Sequence, residues 1–214
     1  DGIYTVSLKS CNNFGCDTVI KTNTITVKLN SAPVAATCTS TINNSNINYG
    51  IINVTLNSIN HSTLSGEMYN DYSCSQMTEL FVDFPYDISI NTGSFTNQSV
   101  YVWVDVNNNG EFGTNELLFS SLNKKDIHTG SITIPSSGTT VNKSLRMRIS
   151  ADETWNQLMS CSYIYYGESE DYSIVMKPNL LPPAVNFSAN PLRSCNGVVN
   201  FQDSTYNSPT SYLW

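Results

Sequence analysis

Ten short stretches of this chain alternate apolar and polar residues with a period of two, and polar turn residues separate them. YTVSLKS, NTITVKL, INVTLNSI, ELFVDF, YDISI, SVYVWVDV, ELLFSS, GSITIP, SLRMRIS and EDYSIVM share the pattern. A period of two puts every second side chain on one face of an extended strand, where Val, Ile, Thr and Tyr pack well. No segment shows the spacing of an amphipathic helix. Many short strands joined by turns bury their apolar faces by stacking two sheets. The chain is therefore expected to be all-β, a β-sandwich of the jelly-roll or immunoglobulin-like kind.

Two proline-bearing connectors interrupt the alternation, LNSAPVAAT at 29–37 and KPNLLPP at 177–183. They divide the chain into an opening piece of 1–30, a central module of 36–177 and a closing piece of 184–214. Each end piece offers two or three strands, too small an apolar face for independent stability. Both are expected to be halves of larger sandwiches, or to complete each other or neighbouring copies by strand exchange.

Directly after YVWV comes DVNNNGEFGTNE, residues 105–116. Asp105, Asn107 and Asn109 put oxygens at alternate positions, Gly110 permits a sharp bend, and Glu116 closes the segment. This is the spacing of a calcium loop, with Glu111 offering a backbone carbonyl. Only Asp105 and Glu116 are charged side-chain ligands, so affinity is expected in the ~10⁻⁴–10⁻³ M range of extracellular modules. The competing reading is an Asn/Gly-rich hairpin loop held by Asx-turns.

GESEDY concentrates Glu168, Glu170 and Asp171 at the start of a strand. Neighbouring carboxylates repel unless a cation neutralises them. Arg146 and Arg148 alternate with Leu145, Met147 and Ile149 and so share a face. Cross-strand pairing of these arginines with Glu170 and Asp171 is the expected arrangement, and a second metal position the alternative. A glycosidase-like acid/base pair fits in principle, but no substrate groove is evident.

Six scattered cysteines lack the close-spaced doublets of a zinc site and point to disulfides outside the cell. Cys11 and Cys16 bracket a turn, close enough for a local bridge. Cys38 with Cys161 would staple the ends of the central module, with Cys38–Cys74 the competing pairing. Cys195 is expected to pair elsewhere. His61 and His128 lie in polar stretches without a catalytic context and are expected in exposed turns. Tyr163, Tyr165 and Tyr166 are expected to be core, with a sugar-stacking platform as the alternative. Asp17-Thr18-Val19 and Asp203-Ser204-Thr205 fit an O-glycan acceptor pattern that also recurs by chance.

Aromatic residues at 11% mark a folded chain, while charged residues reach only 13%. A net charge of −7 argues against nucleic-acid partners and allows divalent cations. No apolar run approaches the length of a membrane span, so no membrane insertion is expected.

The central stretch resembles the GEVED domain of large secreted Bacteroidota proteins. The resemblance rests on YGESEDY at 166–172, with Ser169 in place of the family's valine. NDYSC, YVWVDVNNNGEF, ELLFS, TGSITIP and LRMRIS also match, in order. DGIYTVSLKSCNNFGCDTVIKTNTITV resembles the closing strands of a PKD domain, an immunoglobulin-like sandwich, and CNGVVNFQDSTYNSPTSYLW its opening half. The DFGDG-type turn that follows in that family is absent. These resemblances imply a non-catalytic, secreted or cell-surface segment of a long adhesin or filament, with neighbouring PKD-like modules as partners, and the spacing at 105–116 adds Ca²⁺ as the expected cofactor. The alternative is an accessory module that binds a surface glycan or protein and tethers a secreted hydrolase. A stand-alone enzyme is the least expected class.

Overall fold

The computed structural model describes residues 2–27, 32–43, 48–153, 159–193, 195, 197–205, 209, 211 and 213. They fall into two units, Asp1–Ala32 and Pro33–Trp214.

The first unit is one antiparallel hairpin of β1 (Gly2–Asn12) and β2 (Gly15–Val27). Cys11 and Cys16 stand opposite each other beside the turn and are disulfide-bonded. A two-stranded ribbon leaves both faces open, and Ile3, Leu8 and Ile20 are exposed.

The second unit contains a sandwich of two sheets. Its larger sheet runs β10-β9-β12-β14-β6, with β7 also paired to β14. These strands are β6 (Tyr69–Asp71), β7 (Met77–Phe81), β9 (Gln98–Val104), β10 (Leu117–Lys124), β12 (Ser144–Asp152) and β14 (Gly167–Lys177). The smaller sheet runs β11-β8-β4-β5, built from β4 (Ile51–Leu56), β5 (Ile59–Ser62), β8 (Pro85–Thr92) and β11 (Ile127–Thr133). Two short parallel strands, β3 (Thr41–Ile42) and β13 (Tyr163–Ile164), form a separate pair, and β15 (Phe187–Asn190) with β16 (Asn200–Asp203) makes a hairpin.

The core lies between the two larger sheets. Val100, Val102 and Val104 of β9, Leu145, Met147 and Ile149 of β12, and Tyr172, Ile174 and Met176 of β14 meet Ile51, Val54, Leu56, Ile88, Ile90 and Ile132 from the other side. Burying each such side chain contributes about 1.5–3 kcal/mol before entropy is offset. The alternation predicted from sequence is therefore the pattern that closes the sandwich.

Strands β9, β12 and β14 differ from ordinary sandwich strands because every residue of β9 and β12, and nearly every residue of β14, is buried. Their outer face carries Tyr101, Trp103, Arg146, Arg148, Ser169 and Asp171. A second apolar cluster of Ile42, Tyr101, Trp103 and Ile164, with Tyr69, Phe112 and Leu117 packed against it, covers that face. A polar network is thereby sealed beneath a layer of loops.

β14 is the axis of the large sheet. It pairs antiparallel with β12 from Gly167 to Val175. On its other edge it pairs in parallel with β6 at Ser169–Asp171 and with β7 at Ser173–Lys177. A Cβ on Gly167 would fall on the Ala151 carbonyl oxygen, so this close strand approach requires glycine there.

Candidate functional site

Residues 105–116 leave the end of β9 as a closed loop held by its own backbone amides. Both oxygens of the buried Asp105 carboxylate accept hydrogen bonds, Oδ1 from the Asn109 amide at 3.0 Å and Oδ2 from the Gly110 amide at 2.8 Å. Asn107 Oδ1 accepts from the Asn109 amide at 3.0 Å, and Asn109 Oδ1 from the Glu111 amide at 2.8 Å. Glu116, on a short 3-10 turn (Thr114–Glu116), is also buried and reaches back across the loop. Its Oε1 accepts from the Val106 amide at 3.0 Å and its Oε2 from the Gly113 amide at 2.6 Å.

Gly110 sits at φ 84° and Asn108 at φ 60°, left-handed conformations suited to Gly and Asn. A Cβ on Gly110 would come within 2.7 Å of the Ala35 carbonyl oxygen, while the Gly110 carbonyl accepts from the Thr37 amide at 2.8 Å. The loop is thus a folded surface on which the entering segment at 33–38 rests.

The ligand set expected from sequence lies on this loop, with Asp105 and Glu116 inside it and Asn107, Asn109 and Glu111 at its exposed rim. These are oxygen donors only, the kind a hard cation takes, and both Asp105 oxygens and Glu116 Oε2 keep a further acceptor site beyond the amide each binds, while Glu116 Oε1 accepts from the Val106 and Asn107 amides. Among the described residues no group of three or more His, Cys, Asp or Glu is placed to hold a metal. The loop has two buried carboxylates, Asp105 and Glu116, and asparagine and carbonyl oxygens would complete the shell. Asn108 Oδ1 is buried there without a hydrogen-bond partner, at a position outside the predicted set.

Beside the loop, the outer face of the large sheet carries an ion-pair network. Arg148 stands opposite Asp171 in the β12–β14 register, and the two side chains bond in a fork, Nε to Oδ1 at 2.7 Å and Nη2 to Oδ2 at 2.8 Å. Arg146 Nη1 reaches the same Asp171 Oδ2 at 2.9 Å and Asp71 Oδ2 of β6 at 2.8 Å. The Tyr69 hydroxyl donates to Asp171 Oδ2 at 2.8 Å, and burial followed by the Asp171 charge pushes its pKa up to about 12. Burial acts to raise the Asp71 carboxyl, but hydrogen bonds from Ser73 and Arg146 outweigh it and leave the pKa below the ordinary value.

The arginines also fasten the cover. Arg146 Nε donates to the Val34 carbonyl at 3.1 Å. Arg148 Nη1 donates to the Cys38 and Ser160 carbonyls at 2.9 and 3.1 Å. The Phe112 ring lies 4.8 Å from the Arg148 guanidinium carbon, bringing the loop onto the network through a cation–π contact. Cys38 and Cys161, the two ends of this cover, are disulfide-bonded. Cys74 and Cys195 are free and exposed, so the competing Cys38–Cys74 pairing is not the one formed.

The predicted pairing of both Glu170 and Asp171 with the arginines is half corrected. Asp171 makes it, but Glu170 is its immediate neighbour on an extended strand and points to the opposite, core-facing side. There Glu170 Oε2 accepts from the Tyr172 hydroxyl at 2.7 Å, and Glu168 Oε2 from the Ile51 amide at 3.0 Å. Burial, then the charge of Glu170, raises the Glu168 carboxyl to about 8, and burial raises Glu170 to about 7. Between them on the outer face, Ser169 and Ser150 share a hydrogen bond of 2.9 Å.

Two further expectations are corrected. His128 is a fully buried residue of β11, with Ser121 Oγ 2.9 Å from Nδ1 and Thr92 Oγ1 3.4 Å from Nε2. Burial, then Lys124, lowers its pKa to about 4. His61 lies on β5 and packs edge-on against Tyr72. Tyr163 and Tyr165 are not core: they are 53% and 48% exposed and pack edge to face with centroids 6.1 Å apart.

Among known protein families, the GEVED domain matches residues 99–175. That span covers the loop, both arginines and the whole acidic motif, and it closes within β14. No curated protein matches the chain.

Proposed function

We propose that the chain is a non-catalytic segment of a large extracellular adhesin or filament, in which disulfides and a Ca²⁺-binding loop stiffen a spacer module. The observation that carries this reading is the fate of the charged motif. Arg146, Arg148 and Asp171 are sealed under the cover of 33–38 and 159–164 and are spent on scaffold bonds. Charged groups committed in this way hold a shape and are not presented to a substrate. Two disulfides suit an oxidising, extracellular setting.

Asp105, Asn107, Asn109 and Glu116, with the Glu111 carbonyl, would hold the Ca²⁺, whose charge would stiffen a loop that supports both the entering segment and Arg148. The test is thermal melting with calcium and with EDTA. Chelation is expected to lower Tm, and Asp105→Ala to shrink the difference. Identical wild-type curves would end the calcium part of the proposal.

The exposed Tyr163 and Tyr165 favour a second reading, a glycan-binding module that tethers a secreted hydrolase. Glycan-array binding lost in Tyr163→Ala and Tyr165→Ala would support it, and an array without signal would leave the spacer.

A further inference from the structure

Beneath the arginine network, on the other face of β14, two carboxylates have no cationic partner. Glu168 and Glu170 sit two residues apart on the core-facing side, both fully buried. One oxygen of each is satisfied, by the Ile51 amide and the Tyr172 hydroxyl respectively. The other oxygen, Oε1 in both, is buried and makes no hydrogen bond. Thr63 lies beside Glu170 and Gly66 beside Glu168, and hydrogen bonding from the Thr63 hydroxyl, which also reaches the Ile51 carbonyl at 3.1 Å, and from the Gly66 amide offsets part of the burial of each carboxylate. The groups that shift these two carboxyls most include Glu67 and no arginine or lysine.

Neighbouring architecture brings a third carboxylate to the same place. The Met68 carbonyl accepts from the Ser169 amide at 3.0 Å, which docks the 63–68 segment on β14 between Glu168 and Glu170. Glu67 is therefore adjacent in sequence to the docking point. It is exposed, and its Oε2 accepts from the Tyr72 hydroxyl at 2.9 Å. The three carboxylates do not converge as they stand, and rotation of the Glu67 side chain toward the pair is the movement that would close the set.

We infer that Glu168 and Glu170 form a binding site for a hard divalent cation of the calcium class, with Glu67 completing the coordination from the surface. The donors are oxygens, and buried carboxylates with unsatisfied lone pairs are what such an ion compensates. The close fit around Glu168 supports a built site: a Cβ on Gly50 would strike the Glu168 side chain, and Gly50 itself sits at φ 95°. This site is separate from the loop at 105–116, because Glu170 and Asp171 project from opposite faces of one strand.

The experiment uses the chain carrying Asp105→Ala, stripped with EDTA, so that the loop does not contribute. Tb³⁺ is titrated with excitation of tyrosine, since Tyr72 and Tyr172 adjoin the pair, and is then displaced with CaCl₂. The expected result is one bound ion, sensitised emission, and loss of both in Glu170→Gln and in Glu67→Gln. Glu170→Gln is nearly isosteric and keeps an acceptor for the Tyr172 hydroxyl, and its circular dichroism checks the fold. A chain that binds no ion in the Asp105→Ala background, the pair then carrying protons only, overturns the inference. So does an ion whose affinity ignores both glutamate substitutions. If Asp105→Ala leaves the wild-type stoichiometry unchanged, the loop reading fails while this one stands.

Discussion

Asp171 lies directly opposite Arg148 in the β12–β14 register, and the two share a forked ion pair of 2.7 and 2.8 Å from which solvent is excluded. Removing Arg148 breaks the fork and leaves the buried Asp171 with Arg146 and the Tyr69 hydroxyl. Arg148→Met is expected to destabilise the chain by up to about 3–5 kcal/mol. The double variant Arg148→Met/Asp171→Leu should recover part of that loss, because the forked charges go together and Arg146 keeps Asp71 as its partner. Urea denaturation of the two variants and the parent measures both changes.

Ser169 stands opposite Ser150 across the register, and the two share a hydrogen bond of 2.9 Å. Ser169→Val should cost about 1–3 kcal/mol, because it orphans the buried Ser150 hydroxyl. Ser150→Ala/Ser169→Val should be close to neutral, since donor and acceptor are removed together. A double-mutant cycle on melting free energies gives the coupling.

His128 is held neutral in the core, with its pKa lowered to about 4 from the ordinary 6.5. Its contribution is present above pH 6.5 and is lost as pH falls toward 4, because the unfolded chain takes up the proton first. The loss is on the order of 3 kcal/mol at the acid end. His128→Gln should flatten that limb of a stability–pH curve, and an unchanged slope would refute the assignment.

Most strands of both sheets were legible because apolar core-facing residues alternate with more polar ones, although β5 and β6 are too short to show the pattern. Parity also carried signals that grouping by charge concealed. Glu170 and Asp171 are consecutive, so only one of them can face Arg148. His128 has the parity of Ile132 and Ile134, which places it inward despite its polar neighbours. The parallel pairing of β6 and β7 with β14 was not legible, because those partners lie about a hundred residues away and no local pattern marks them. The cover over the arginines was hidden for the same reason: its hydrogen bonds come from backbone carbonyls of Val34, Cys38 and Ser160. Exposure of Tyr163 and Tyr165 depends on how loops pack, which alternation does not encode.

Cys38 and Cys161 close a loop of sequence separation 123. On the chain-entropy account, Cys38→Ser/Cys161→Ser should lower stability by about 4–5 kcal/mol relative to the oxidised chain. Calorimetry of the variant against the oxidised parent measures the loss, and a difference below about 1 kcal/mol would show that the covering segments are held by the arginines alone.

That same sulfur bridge decides what happens when a tether is drawn taut. Tension entering before Cys38 and leaving after Cys161 crosses from one sulfur to the other and bypasses everything between them. At about 3.3–3.6 Å per residue, roughly 400 Å of contour length is withheld from extension. In a filament built from such segments, extension under load would be left to the stretches before Cys38 and after Cys161, with β14 among the latter.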